Sequence, residues 1–264
     1  MTTEVSLAGL RVLVTRPEAQ AATLNAAIVR AGGEAIPAPM IRIVPLEDPQ
    51  SRIAITSRLQ QLDRYDMALF ISSNAARLGA AWIDRYWPQL PVDLELIAIG
   101  PATARELHCL GVAVTTAPGG IRSEDLLSVP LLREVRGKRI LLFRGRGGRE
   151  LLAGTLRQRG AMVDYVEVYE RHAVAWEPGE LAALMTRRGV NVITVTSSQI
   201  LAALQSALGS NTGQWCLLPL LVPSERVLFD ARAAGFANAI DVKGADEQAM
   251  LSGLRTLAGG QQQH

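Results

Sequence analysis

The sequence predicts an α/β protein built of two doubly wound parallel-sheet domains. Three observations carry that expectation: strand-like and helix-like stretches alternate throughout, the strand runs are apolar at consecutive positions, and one strand-helix-strand plan occurs twice. Residues 11–36, RVLVTRPEAQAATLNAAIVRAGGEAI, return without a gap at 139–164 as RILLFRGRGGRELLAGTLRQRGAMVD. Val12, Leu13 and Val14 fall on Ile140, Leu141 and Leu142, Arg16 falls on Arg144, and Leu24, Ile28 and Gly32 fall on Leu152, Leu156 and Gly160. Two weaker echoes keep the same order at an offset of about 125 residues. One matches 65–81 to 190–206 and sets Ser72-Ser73 on Ser197-Ser198; the other matches 97–111 to 221–235 and sets Gly100 on Ser224. Two copies of one plan leave a cleft between them, where a ligand can be shielded from water.

The elements follow in order. Short β-rich runs fall at 11–15, 67–72, 95–99, 112–116, 139–143, 162–169, 191–196, 218–223 and 239–242. Between them lie amphipathic stretches such as AQAATLNAAIVRAG, ARLGAAWIDRYW, RELLAGTLRQRG, ELAALMTRRG, QILAALQSALG and ERVLFDARAAG. Most end in Gly, the residue favoured just past a helix C-terminus. Two segments break the alternation. Prolines 37, 39, 45 and 49 exclude a helix after the first unit and favour extended chain, and VDYVEVYERHAVAWEP after the second copy is extended and alternating too. Read as twin linkers, they make the first domain discontinuous, 1–37 plus 173–264, around a second domain at 38–172, with linker strands near 38–44 and 165–172. Two sequential domains split near 130 remain the alternative.

A chain of 264 residues is long enough for two cores, and its apolar and charged content is that of a soluble globular protein. The start lacks the basic and apolar regions of a signal peptide, and no apolar run reaches the length of a membrane span. Cys109 and Cys216 form neither metal spacing nor a disulfide framework. The expectation is a cytoplasmic protein that does not engage membranes. A formal charge of +2 implies no nucleic-acid partner. The charge is uneven, however. Arg144-Gly-Arg-Gly-Gly-Arg149 sits where a strand gives way to a helix, and glycines beside a helix N-terminus suit a carboxylate or phosphate.

Common catalytic signatures are missing. The first turn is TRPEAQ rather than GxGxxG, the RGRGG turn has the wrong spacing for a dinucleotide loop, and neither a Walker A sequence nor GxSxG occurs. Histidines 108, 172 and 264 suit solvated positions. Chemistry is left to hydroxyls, main-chain amides and arginines. Ligands of doubly wound sheets bind at the carboxyl ends of strands. Those ends carry Arg16, Ser72, Ser73, Asn74, Gly100, Thr103, Arg144, Gly145, Ser197, Ser198 and Ser224. Each hydroxyl serves equally well as an ordinary N-cap; as a set they offer a polyanion many donors.

TRP after the first strand, FISSNA, IGPATA, the RGxGGRELL turn with VxVYER beyond it, TSSQ and VPSER together resemble the uroporphyrinogen-III synthase family. No single motif is specific; the ordered set over nearly the whole chain carries the resemblance. It implies two flavodoxin-like domains joined by a two-stranded linker. It also implies closure of linear hydroxymethylbilane, a tetrapyrrole octacarboxylate, to uroporphyrinogen III, with loss of water and inversion of ring D. No cofactor or metal is implied, and a monomer is expected. The family places a Tyr near the dehydration step, and the matching position is Tyr169 in VEVYER, which suits interdomain packing equally. Arg16, Arg144, Arg146 and Arg149, with the turn amides at Ser72, Ser197 and Ser224, are the expected carboxylate grips, the alternative being that some of these arginines are solvated or paired with neighbouring Glu18 or Glu150. The alternative is a cytoplasmic two-domain binding protein for a small polyanionic ligand.

Overall fold

The computed structural model describes residues 5–117, 123–148, 150–209 and 212–261. The chain opens with β1 (Arg11–Val14), α1 (Glu18–Arg30), β2 (Glu34–Pro37), β3 (Ile41–Pro45) and α2 (Pro49–Leu59). Next come β4 (Met67–Phe70), α3 (Ser73–Tyr86), β5 (Glu95–Ala98), α4 (Pro101–Arg105), β6 (Val114–Thr116), β7 (Arg139–Gly145), α5 (Leu151–Gln158) and β8 (Met162–Ala173). The remainder is α6 (Glu180–Arg187), β9 (Val192–Thr194), α7 (Ser198–Leu208), α8 (Thr212–Trp215), β10 (Leu220–Val222), α9 (Glu225–Ala233), β11 (Ala239–Asp241) and α10 (Glu247–Gln261). Two compact units result: Met1–Arg42 with His172–His264, and Ile43–Arg171.

Each unit holds one sheet. The first has the order β11-β10-β9-β1-β2 and the second β3-β8-β7-β4-β5-β6. The ladders β1–β2, β1–β9, β9–β10 and β10–β11 are parallel, as are β4–β5, β4–β7, β5–β6 and β7–β8. In chain order the first sheet reads 2-1-3-4-5, the flavodoxin-like order. The second sheet has the same spatial plan entered at another strand. β8, β7, β4, β5 and β6 occupy the places of β2, β1, β9, β10 and β11, and all but the last of these pairs fall in the sequence echoes. β3 is an addition. Leu46 N donates to Val168 O at 3.1 Å and Val174 N to Met40 O at 3.0 Å, so β3 runs antiparallel along β8.

Consecutive apolar residues arise because both sheet faces are covered. In β1, Leu13 packs into one cluster with Ile193 and Val222, while Val12 and Val14 pack into another with Leu24, Ile28 and Leu254. In the second sheet, Phe70 and Phe143 face one core and Leu69, Ile140 and Leu142 the other. One expectation needs correction. Pro49 does not exclude a helix; it is the first residue of α2, where a missing N–H costs nothing, and the Asp48 side chain accepts from Ser51 N at 2.9 Å to cap it. The rest of the proline-rich stretch after α1 is extended, and Glu34–Pro37 forms the edge strand β2, in register with Arg11–Val14. Among the described residues no helix is long and apolar enough to cross a membrane.

Helix α3 approaches the second sheet at Gly79. Phe70 and Phe143 stack beneath it with centroids 4.5 Å apart, and a Cβ on Gly79 would stand 2.6 Å from Phe143 Cδ1 and 3.0 Å from Phe70 Cε1. Replacing a mid-helix Gly by Ala ordinarily gains up to about 1 kcal/mol. Here the sign reverses. Gly79→Ala is expected to destabilise the protein by about 1–3 kcal/mol through overpacking, read as a lower midpoint of urea unfolding.

Candidate active site

The carboxyl end of β7 brings most of the polar side chains of the second unit together. Arg144, the penultimate residue of β7, is 2% exposed. Its Nη1 donates to Glu150 Oε1 at 2.8 Å, and its guanidinium lies 4.7 Å from the centre of the Tyr165 ring. The Tyr165 hydroxyl donates to the other Glu150 oxygen, and Arg157 covers the ring at 5.1 Å. The hydrogen bond from Tyr165, then that from Arg144, holds the Glu150 carboxyl below its ordinary value. Burial, then the bond to Glu150, pushes the Tyr165 phenol up. Of the two roles open to Arg144, a ligand grip or a pair with its neighbour Glu150, the free protein holds the pair. Gly148 leaves it room, since a Cβ there would meet Arg144 Nη2 at 2.5 Å.

Tyr169 lies one turn of the pleat further on, 2% exposed. Its hydroxyl shares a 3.1 Å hydrogen bond with Ser72 Oγ and accepts from Arg171 Nη2 at 3.1 Å. Ser72 is the N-cap of α3, and its Oγ also accepts from Ala75 N at 3.1 Å. Gly145 is the seat of the ring, because a Cβ would fall 2.7 Å from Tyr169 Cζ. The expected residues Ser72, Gly145 and Tyr169 thus form one contact group. Gly100 caps α4 with extended backbone, and Ser73 opens α3 half-buried. Asn74 and Thr103 are 6% and 3% exposed. Arg146 reaches Ser51 Oγ at 2.9 Å, Glu170 at 3.4 Å and Glu167 at 3.6 Å, beside a cavity of about 520 Å³. Arg149 lies outside the described residues.

In the first unit, Ser197 caps α7 by accepting from Ile200 N at 3.2 Å, and the Ser198 hydroxyl donates to Asp230 at 2.6 Å. Ser224 holds the N-cap backbone of α9 without a side-chain bond. The three N-cap serines, 72, 197 and 224, share one backbone shape, with φ of −167°, −164° and −166°. Arg16 donates from Nη2 to Ala245 O at 2.7 Å while its buried Nε has no partner. Burial lowers its pKa, and Asp246 and Glu247 oppose that. Among the described residues no cluster of His, Cys, Asp and Glu could hold a metal ion.

Sequence reasoning missed Arg171 and Tyr165, whereas Glu150 is the neighbour it offered as an arginine partner. Strand alternation offers a signal for the first, since residues 169 and 171 of one strand share a face. The depressed Glu150 pKa has a sign that can be checked. Its stabilising contribution is complete above the ordinary value of 4.5 and is lost as pH falls through the lower folded value. Glu150→Gln is expected to lower the urea midpoint at pH 7, and its gap to the unaltered protein is expected to close below about pH 4.5, followed by unfolding curves across pH.

Residues 22–251 match the family described as uroporphyrinogen-III synthase HemD. The chain is 34% identical over 253 residues to uroporphyrinogen-III synthase of Escherichia coli (strain K12), with 93% of this chain and 100% of the relative covered. It is 27% identical over 216 residues to that of Synechococcus elongatus, covering 80% and 79%. Among solved structures, a mutant uroporphyrinogen III synthase from Thermus thermophilus shares the fold with a TM-score of 0.59 at 18% identity, covering 94% and 99%. The Helicobacter pylori synthetase does so with 0.57 at 14% identity and the same coverage. A family match through nearly all of both units, and identity above 30% along a full-length relative, have one meaning: the chain belongs to the uroporphyrinogen-III synthase family.

Proposed function

We propose that this protein is a lyase of haem biosynthesis that closes hydroxymethylbilane to uroporphyrinogen III, and that Tyr169 is its proton donor. The C–O bond of the ring A hydroxymethyl group breaks with its electron pair leaving on oxygen. The pyrrole nitrogen lone pair fills the vacancy, and a proton delivered to the departing oxygen completes water. Ring D then attacks through its substituted α-carbon to give a spiro intermediate. The original bond from that carbon to the ring C methylene breaks to leave a second azafulvene, the free α-carbon of ring D closes on that methylene, and the α-proton lost on rearomatisation restores the donor. Because the electron-rich pyrrole drives departure, mild acid assistance suffices.

The observation that carries this reading is the placement of the Tyr169 hydroxyl. It accepts from Arg171 and shares its own proton with Ser72 Oγ, which already accepts from Ala75 N. Turning that proton to a ligand oxygen gives up one neutral hydrogen bond, at a net cost of about 1 kcal/mol. The harder task is regiochemical, since the unassisted bilane closes without inversion. Holding its two ends together in one conformer is an effective-molarity problem. In this proposal the helix N-termini at Ser72, Gly100, Ser197 and Ser224, with Ser73, Ser198, Arg16 and Arg149, meet the substrate carboxylates, while Arg144 acts by fixing its loop. The protein works in the cytoplasm as a monomer, without cofactor, metal, membrane or nucleic acid.

Two outcomes test this. Incubated with enzymatically made hydroxymethylbilane, the protein is expected to yield type III uroporphyrinogen, separated from type I after oxidation; type I alone sinks the enzyme reading and leaves a polyanion-binding protein. Tyr169→Phe is expected to lower kcat by about 100-fold or more, with a smaller effect on KM. Normal turnover to the normal isomer would make Tyr169 a packing residue.

A further inference from the structure

Arg171 is exposed, near the end of the strand that carries Tyr169. Its Nη2 donates to the Tyr169 hydroxyl at 3.1 Å, and its guanidinium lies 5.5 Å from the centre of the same ring. The other arginines of this region are differently occupied. Arg58 holds Asp164, Arg144 holds Glu150, Arg146 holds Glu167 and Glu170, and Arg157 holds Glu150. Among the described residues no carboxylate pairs with Arg171; its partner is a neutral phenol.

A guanidinium in solvent prefers a carboxylate to a phenol, because the ionised acceptor makes shorter, stronger and bidentate bonds. Tyr169 is 2% exposed, and the charged group lying against its ring and hydroxyl is the one most readily drawn away. We propose that Arg171 is the substrate-carboxylate receptor that controls Tyr169. In the free protein it occupies the phenol oxygen and covers the ring. When a carboxylate of the bound bilane pairs with it, the guanidinium leaves the phenol and the hydroxyl is uncovered, so that the departing water oxygen can take the place of Ser72 Oγ as its hydrogen-bond partner. The exchange swaps hydrogen bonds only; no covalent bond is made and no proton is gained or lost by Arg171. Arg171 touches the substrate through a carboxylate and acts on the reaction through Tyr169. This inference rests on the proton-donor reading of Tyr169.

The test compares Arg171→Ala, Arg171→Lys, Tyr169→Phe and the double variant Arg171→Ala/Tyr169→Phe in the full chain, using enzymatically made hydroxymethylbilane. Urea unfolding of each serves as a check on folding. Removing one charge-assisted bond is expected to raise KM about 10–100-fold in Arg171→Ala. Arg171→Lys is expected to recover part of that loss, since an ammonium restores the charge but not the fork. The KM rise is expected to persist when Arg171→Ala is placed on the Tyr169→Phe background, because carboxylate capture does not need the phenol. An unchanged KM in Arg171→Ala overturns the inference. So does a KM effect that vanishes on the Tyr169→Phe background, which would leave Arg171 as a group that merely orients the ring. These failures leave the Tyr169 reading intact, whereas normal turnover to type III product by Tyr169→Phe alone overturns both.

Discussion

A guanidinium enclosed by its own unit has to be answered there, and the candidate site of the second unit is organised around that requirement. Arg144 sits at the end of a strand with its charge 2% exposed, and Glu150 and Tyr165 supply the answer. Removing one partner of a fully buried pair costs about 3–5 kcal/mol; with the Glu150 side chain 66% exposed, solvent screening brings this pair well below that figure. The geometric consequence matters more. The pairing of Arg144 with Glu150 ties the strand end to the start of α5. The chain can then pass through Gly145, whose missing side chain is the space filled by the Tyr169 ring.

The sequence repeat gains a spatial meaning from the sheets. Echoed segments occupy equivalent strands, so the duplicated object is a place in a sheet and not merely a pattern of apolar residues. The copies differ where polar groups are concentrated. Arg16 is held by a main-chain carbonyl with its Nε unpartnered, whereas Arg144 has a complete ion pair and a ring beneath it. Ser72 and Ser197 both cap their helices, but Ser72 additionally engages a Tyr hydroxyl.

Much of the architecture was legible because buried parallel strands leave a strong trace. Runs such as Val12-Leu13-Val14 and Ile140-Leu141-Leu142 must be apolar on both faces, and turns such as TSSQ carry their own capping serine. The proline-rich stretch was harder. Its prolines favour edge or extended chain, as Pro37 at the end of the edge strand β2 shows, yet Pro49 begins a helix because it occupies a position where an N–H is dispensable. At the site, Tyr169 was reached only through the family resemblance. A register shift between Arg144 and Gly145 sets Glu167 opposite the first and Tyr169 opposite the second. No alternation rule foretells that slip, and without it the Tyr169 ring is not set against Gly145.

The point at which the chain enters each sheet also bears on how the protein is made. The sheet of the unit Ile43–Arg171 is assembled from one continuous stretch, so all its strands are available once that stretch has left the ribosome. The other sheet is not. Its inner strand β1 is among the first to emerge, yet its neighbour β9, the central strand, lies about 180 residues later, Val12 pairing with Val192. During synthesis β1 and β2 must therefore wait as an unfinished edge, with Val12, Leu13 and Val14 lacking their eventual cover. The closure entropy for so long a loop grows only logarithmically with its length, so the delay is one of time more than of stability. The nested order of the two units makes the inner one the natural first folder and the N-terminus the last piece to be locked.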